Sequence, residues 1–508
     1  MQVFLVLAPV FAFFVVMLAV GFVVRKKSEK ERSVNFSKDY YIGGRSLGGF
    51  VLAMTLVATY SSGSSFVGGP GVAWQRGFGW VYLAMTQVLA AFLVMGVMGK
   101  KMAVISRKID AITVIDVIRT RYESNLLASL GALLIVVFFC GTIVAQFISG
   151  ANLFAAAAGV DYTFGLLLFA LVVVTFTAVG GFKGVAITDL ICALAMLLGL
   201  GVLLYAVLHH GGGMSNIMAT LSEQPQMLEP LSGGAISVQL LVSFRMLSGV
   251  STLGLPQSLV RNMSYKNSRS LHRGMIYGTI VVGAMMLGMH FIGVLARGLV
   301  SELPAGGTTD SLMPHLVVNY LPPVLAGIAI IAPLAAAIST VSSLLIAASS
   351  SIIKDVYQHA VERKGGRADQ KKVGLFSIVA TAIIGLICIG VSLKPPTIII
   401  WINMFSFGGL QTAFFWTFLL GFFWKKANTA GAFLSMAGGV FAYCYFMAAK
   451  IPPIPLYGFH QIVVGVGLGF FLFVAGSLLG KPNSETVLKL FFPEHYPEGT
   501  KIEVPTQI

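Results

Sequence analysis

AMTLVATYSSGSSFVGGPG, Ala53–Gly71, lies inside an apolar run long enough to cross a bilayer, yet its middle is wrong for a plain spanning helix. Thr59, Ser61, Ser62, Ser64 and Ser65 put hydroxyls at membrane depth, and Gly63, Gly68, Gly69 and Pro70 are poor helix formers. Backbone freed from helical bonding is tolerated at that depth only where it lines a cavity or is buried in protein. The stretch therefore reads as a broken helix whose carbonyls and hydroxyls face a cation and a solute.

The rest of the chain supplies the bilayer. It has 508 residues, 56% hydrophobic and 10% charged, with a mean hydropathy of +0.87. Soluble domains carry about 25% charged residues, so this is an all-α polytopic membrane protein. Apolar runs of spanning length number thirteen: 3–24, 47–72, 78–99, 126–156, 163–180, 185–208, 235–258, 274–296, 322–352, 373–393, 398–423, 430–449 and 459–480. No basic residue precedes the first run, and Arg25, Lys26 and Lys27 follow it, which reads as a retained anchor rather than a cleaved leader.

The net charge of +15 does not signal nucleic acid. Of the 34 Lys and Arg residues, 29 fall in alternate loops and the tail. The other side holds Arg76, Arg297, Lys394 and Lys450, and Arg245 lies within a span. The positive-inside rule then puts the N-terminus outside and the C-terminus in the cytoplasm, as an odd number of spans requires. Loops 209–234 and 297–321 are external, the latter with room for a short surface helix, and the tail 481–508 reads as loosely ordered. Cys140, Cys192, Cys388 and Cys444 all fall in apolar runs, as packing residues rather than a disulfide framework.

A second interrupted span, 235–258, carries Ser248, Gly249, Ser251, Thr252, Gly254 and Pro256. It comes five spans after the first, so the two run in opposite directions. Paired interruptions in corresponding positions of inverted halves point to the binding site of a secondary transporter. For one such span alone, close helix packing would be the plainer account. In span 322–352, Ser339, Ser342 and Ser343 share a helical face, with Thr340 one position off. Hydroxyls aimed at one point suit a hard cation, although hydroxyls in spans also bond their own helix.

Asp189 and Arg245 are charges within or near spans, which makes each a functional candidate with an interfacial or structural alternative. Gln146, Asn403 and Gln411 serve either a solute or helix packing, and His290 reads as a satisfied core histidine. HExxH, CxxC, P-loop and nucleophile-elbow patterns are missing from the sequence, which leaves an enzyme without support.

Longer stretches resemble the sodium/solute symporter family over essentially the whole chain, and within it the branch that carries pantothenate. They are YYIGGRSLGGFVLAMTLVATY (40–60), SSFVGGPG (64–71), TAVGGFKG (177–184), GLPQSLVR (254–261), SYKNSRSLHRG (264–274), IAPLAAAIST (331–340) and KPPTIIIWINMFSFGGL (394–410). Phe176 and Gly184 are mild departures from the family signature. The resemblance implies a leucine-transporter fold of five helices plus five inverted ones. On this reading residues 1–480 form one transport domain, with repeats 47–208 and 235–423, an extra N-terminal helix 3–24, two extra helices in 430–480, and a tail 481–508.

By position, the resemblance implies a main sodium site at Ala58, Ser61, Ala336, Ser339 and Thr340. It implies a second sodium site at Asp189, Ser342 and Ser343. Substrate contacts fall at Ser62, Ser64, Ser65, Thr142, Gln146, Ser248, Thr252 and Asn403, and Arg245 is added as a partner for an anion. The expected function is sodium-coupled uptake of a small organic anion, pantothenate first, by alternating access. Sodium is the co-transported ion and no organic cofactor, nucleic acid or obligate protein partner is called for. Rivals are another solute (proline, a sugar, another monocarboxylate), proton coupling, a membrane sensor without flux, and a channel.

Overall fold

The computed structural model describes residues 2–30, 40–303, 307–366, 368–394, 399–448 and 457–497. Among them, ten helices are long and apolar enough to cross a membrane, and two bent pairs qualify jointly, giving twelve. The chain is a multi-pass membrane protein. The helices that position the site are α1 (Gln2–Lys30), α2 (Gly49–Tyr60), α3 (Gly69–Arg76), α4 (Phe78–Lys108), α5 (Val114–Tyr122), α6 (Asn125–Ala158) and α7 (Tyr162–His210). They continue with α8 (Val238–Leu247), α9 (Pro256–Ser264), α10 (Ser268–Ala296), α11 (Pro323–Ile352), α12 (Gln370–Ser392) and α13 (Ile399–Phe423). Last come α14 (Thr429–Ala448) and α15 (Gln461–Leu479).

The count differs from thirteen because stretches 163–180 and 185–208 form one run, α7, of 49 residues. A straight helix of that length would reach roughly 70 Å, over twice the hydrocarbon thickness. It breaks instead at Gly181, with φ 56° and ψ −167°, a conformation that glycine alone adopts readily. A Cβ there would also fall 2.5 Å from the Tyr40 ring. Two spans therefore meet without a loop, which hydropathy alone registers as a gap.

α11 is the most enclosed long helix, packed against α1, α6 and α7. Its run of small residues (Ala335, Ala336, Ala337, Ser339, Thr340, Ser342) lets these neighbours approach closely.

Residues 481–497 differ from the loose tail expected. Helix Glu485–Phe491 docks with Val487, Leu490, Phe491 and Phe492 buried. The guanidinium of Arg121, itself donating to the Gly421 carbonyl at 2.6 Å, lies 5.5 and 5.4 Å from the rings of Phe491 and Phe492. The polar average of the tail hides this short apolar run. Residues 498–508 lie outside the described set.

In the loop between α10 and α11, buried Asp310 accepts from the Ile399 N–H (3.2 Å) at the start of α13. Burial pushes its carboxyl up to about 6 from 3.8, and the Ile399 N–H opposes this. The folded protein thus holds the Asp310 proton through a window where the unfolded chain has released it, and stability falls as pH rises through that window. Asp310→Asn should raise the melting temperature at pH 7, by on the order of 2 kcal/mol of stability. It should also reduce the gain in melting temperature that the wild type shows between pH 7 and pH 5. An identical pH response in both proteins would contradict this assignment.

Candidate functional site

Both interruptions are broken helices. α2 ends at Tyr60, Ser61 is extended (φ −79°, ψ 118°), and the chain resumes through a π-helical turn, Ser64–Gly68, into α3, bent by 64°. The second break passes through Gly249 (φ −111°, ψ −99°), a 3-10 turn Val250–Gly254 and extended Leu255, with a bend of 43° before α9. Gly254 lies against the backbone of α13, where a Cβ would fall 2.5 Å from the Phe415 nitrogen.

The five main-site residues come together. The Ser339 hydroxyl donates to the carbonyls of Ala58 (2.9 Å) and Ala336 (3.1 Å). Thr340 donates to those of Ser61 (3.2 Å) and Ala336 (2.9 Å). Each hydroxyl therefore bonds its own helix and also reaches across to the break, so both readings of these hydroxyls apply at once. All five residues are buried. Three carbonyls and two hydroxyls converge where α2 ends against α11, the all-oxygen environment that a hard monovalent cation takes.

The second set is arranged differently. Asp189 Oδ2 accepts from the Thr55 hydroxyl and lies 3.4 Å from Arg261 Nη2. Arg261 also donates to Ser343 Oγ (2.9 Å), to the Thr55 carbonyl (3.2 Å) and to the Gln257 carbonyl (2.7 Å). Ser342 donates to the Ser339 carbonyl at 3.1 Å. Asp189 and Ser343 are thus joined through a guanidinium that is 1% exposed. Sequence reading placed Arg261 among the charges of a loop; the structure puts it on α9, inside the bundle.

A cavity of about 800 Å³, its mouth included, opens between the two breaks. Of the expected substrate contacts, Ser62, Ser64, Ser65, Ser248, Thr252 and Asn403 line it. Thr142, Gln146 and Arg245 do not. Thr142 donates to the Phe138 carbonyl of its own helix. Gln146 supports the wall from behind: its Oε1 accepts from the Gly63 N–H (2.6 Å) and its Nε2 donates to Asn403 Oδ1 (3.5 Å). Arg245 stacks over the Tyr82 ring at 5.0 Å instead of reaching inward. Phe244, one residue earlier in α8, turns to the cavity together with Trp80, Gln87, Gln257 and Phe407, which the sequence leaves unassigned, with His290, which reads as packing, and with Gln411, one of the amides open to a solute or to packing. Among the described residues, the cavity lining contains no Lys, Arg, Asp or Glu.

Two interrupted spans facing one cavity, with an oxygen cluster beside the first, define a secondary transporter. The model of the sodium:solute symporter family matches residues 40–439, and the chain belongs to that family. It is 41% identical over 464 residues to a sodium/pantothenate symporter of Haemophilus influenzae, covering 91% of this chain and 94% of the relative. It is 40% identical over 478 residues to the Escherichia coli sodium/pantothenate symporter, covering 94% and 96%. Among solved structures, a Na+-coupled sialic acid symporter in a substrate-bound outward-open state superposes with a TM-score of 0.80 at 21% identity, over 95% of this chain and 98% of that one. MhsT in complex with L-phenylalanine gives 0.52 at 15% identity, over 84% and 98%. At these identities the likeness establishes the fold, which is the leucine-transporter fold.

Proposed function

We propose that the chain imports pantothenate together with sodium, by alternating access around the cavity between the two breaks. The observation that carries the reading is the oxygen cluster of Ala58, Ser61, Ala336, Ser339 and Thr340, which bridges α2 and α11 next to that cavity. Sodium held there ties the first broken helix to α11, favouring the state in which Ser62–Ser65 are set for the solute. A ligand shifts such an equilibrium only by its difference in affinity between the two states. The relatives at about 40% identity direct the solute assignment to pantothenate.

With no charged side chain among the described residues of the lining, an anion needs another partner. The half-helix that begins at Ser64 turns its N-terminal end toward the cavity, and the positive end of the helix dipole with the Ser62, Ser64 and Ser65 hydroxyls suits a carboxylate. The repeats are assigned to 47–208 and 235–423, within a membrane domain of residues 1–480. The loop charges support a bacterial inner-membrane protein with its N-terminus outside and its C-terminus in the cytoplasm.

Two readings exist for Asp189, Ser342 and Ser343. A second sodium is favoured by Asp189 Oδ1, buried and without a hydrogen-bond partner. Arg261 acting as a built-in cation is favoured by its contacts to both Asp189 and Ser343, and this is the reading adopted here.

Uptake of labelled pantothenate into proteoliposomes, challenged with unlabelled pantothenate, proline, glucose and lactate, with and without a sodium gradient, tests the assignment. Competition by pantothenate alone, and only with sodium, is expected. Displacement by proline or glucose would redirect the solute, and sodium-independent uptake would remove the coupling.

A further inference from the structure

We infer that His290 selects the solute by accepting a hydrogen bond from one of its hydroxyls at Nε2, which sets the orientation of the solute in the cavity. The inference rests on the cavity being the solute site. His290 stands on α10, is 3% exposed and forms part of the cavity wall. Its Nδ1 lies 2.6 Å from the Met286 carbonyl. A carbonyl only accepts, so Nδ1 carries the proton, and in the neutral ring Nε2 is left with its lone pair. Among the described residues, Met286 is the hydrogen-bond partner of this imidazole, through Nδ1, and Nε2 has none. An acceptor left free in a cavity wall favours a solute that brings a donor to it over one that does not.

The ring is held against the broken helix. A Cβ at Gly69 would fall 2.5 Å from Nε2 and 3.1 and 3.2 Å from the adjacent ring carbons. The glycine at the start of α3 lets the ring pack against the helix backbone there. A lone pair repels a carboxylate and welcomes an O–H. The acidic end of the solute then belongs at Ser62–Ser65, and its hydroxylated end at His290, beside Gly69. Ser64 and Gly69 are five residues apart, roughly 7 Å along the helix axis. Pantothenate has this polarity: a carboxylate at one end, an amide in the middle and two hydroxyls at the other end. Solutes of similar length without hydroxyls leave Nε2 unpaired.

The test compares two competitors of labelled pantothenate uptake: pantothenate itself and the analogue of the same carbon skeleton lacking both hydroxyls. In the wild type, pantothenate should compete at least tenfold better. In His290→Phe, which keeps the ring and loses the nitrogens, that preference should fall about tenfold, with competition by the deoxy analogue and the sodium dependence unchanged. His290→Gln, which keeps an acceptor oxygen, should retain most of the preference. Retention of the preference in His290→Phe, or a loss in His290→Gln as large as in His290→Phe, would overturn the inference. Equal weakening of both competitors would reduce His290 to a packing residue and overturn it too. Wild-type protein that takes up no pantothenate would instead refute the solute reading, and the inference with it.

Discussion

Ser339→Ala combined with Thr340→Ala is expected to raise the sodium concentration for half-maximal uptake by about a hundredfold. Each hydroxyl is one of five oxygens in the cluster and bridges α11 to a different carbonyl of the break, Ala58 or Ser61. A hydrogen-bonding group facing a charge contributes about 1.5–3 kcal/mol, a factor of ten or more for each one removed. Single variants should each shift the sodium dependence about tenfold. Thr340→Ser, which keeps the hydroxyl, should stay near the wild type. At saturating sodium the maximal rate should recover in the single variants, because the cavity lining is untouched. An unchanged sodium dependence in the double variant would remove sodium from this cluster.

The second large effect is expected at Arg261. Arg261→Gln leaves the Asp189 carboxylate buried with only the Thr55 hydroxyl, and breaking a buried pair on one side costs about 3–5 kcal/mol. Little folded protein should reach the membrane. Arg261→Gln with Asp189→Asn removes both charges and should restore the folded amount, measured by detergent-solubilised size-exclusion yield. If the double variant is no better than the single one, the pair does not act as a unit. The same pair carries an electrical prediction. With Arg261 as the resident cation, one sodium accompanies one monovalent anion, so uptake moves no net charge. An inside-negative potential should leave the initial rate unchanged. With a second sodium at Asp189, Ser342 and Ser343, each cycle would move one charge, about 2.3 kcal/mol per 100 mV, and uptake would accelerate with the potential.

Much of this arrangement is legible in the chain itself. Runs of apolar residues locate the spans because backbone groups in lipid must be satisfied internally. The two breaks are legible because Gly, Pro and Ser are out of place at that depth, and the Ser339–Thr340 pair stands out because hydroxyls on an Ala-rich helix do. Arg261 is not legible: three residues beyond the apolar stretch 235–258, it has the composition of a loop, and only the short helix that starts at Pro256 carries it back into the bundle. Arg245 misleads in the opposite way. Depth along a span says nothing of azimuth, and its aromatic neighbour Tyr82 holds the guanidinium away from the cavity. His290 reads as packing because it stands alone among apolar residues, whereas its role depends on which nitrogen Met286 engages and on a cavity formed by residues distant in the chain. Gly181 hides a turn of the chain within a single residue.

The hydroxyls of Ser339 and Thr340 donate to the very carbonyls that would share the ion. Loading sodium is therefore an exchange of partners and not the filling of a hole. An O–H rotor turns its lone pair to the arriving ion and gives up a bond worth about 1 kcal/mol net. On release it turns back, so the carbonyls are spared the larger penalty of unpaired buried acceptors. A carrier must make its return journey unladen, and a cluster that satisfies itself keeps that half of the cycle from becoming its slow step.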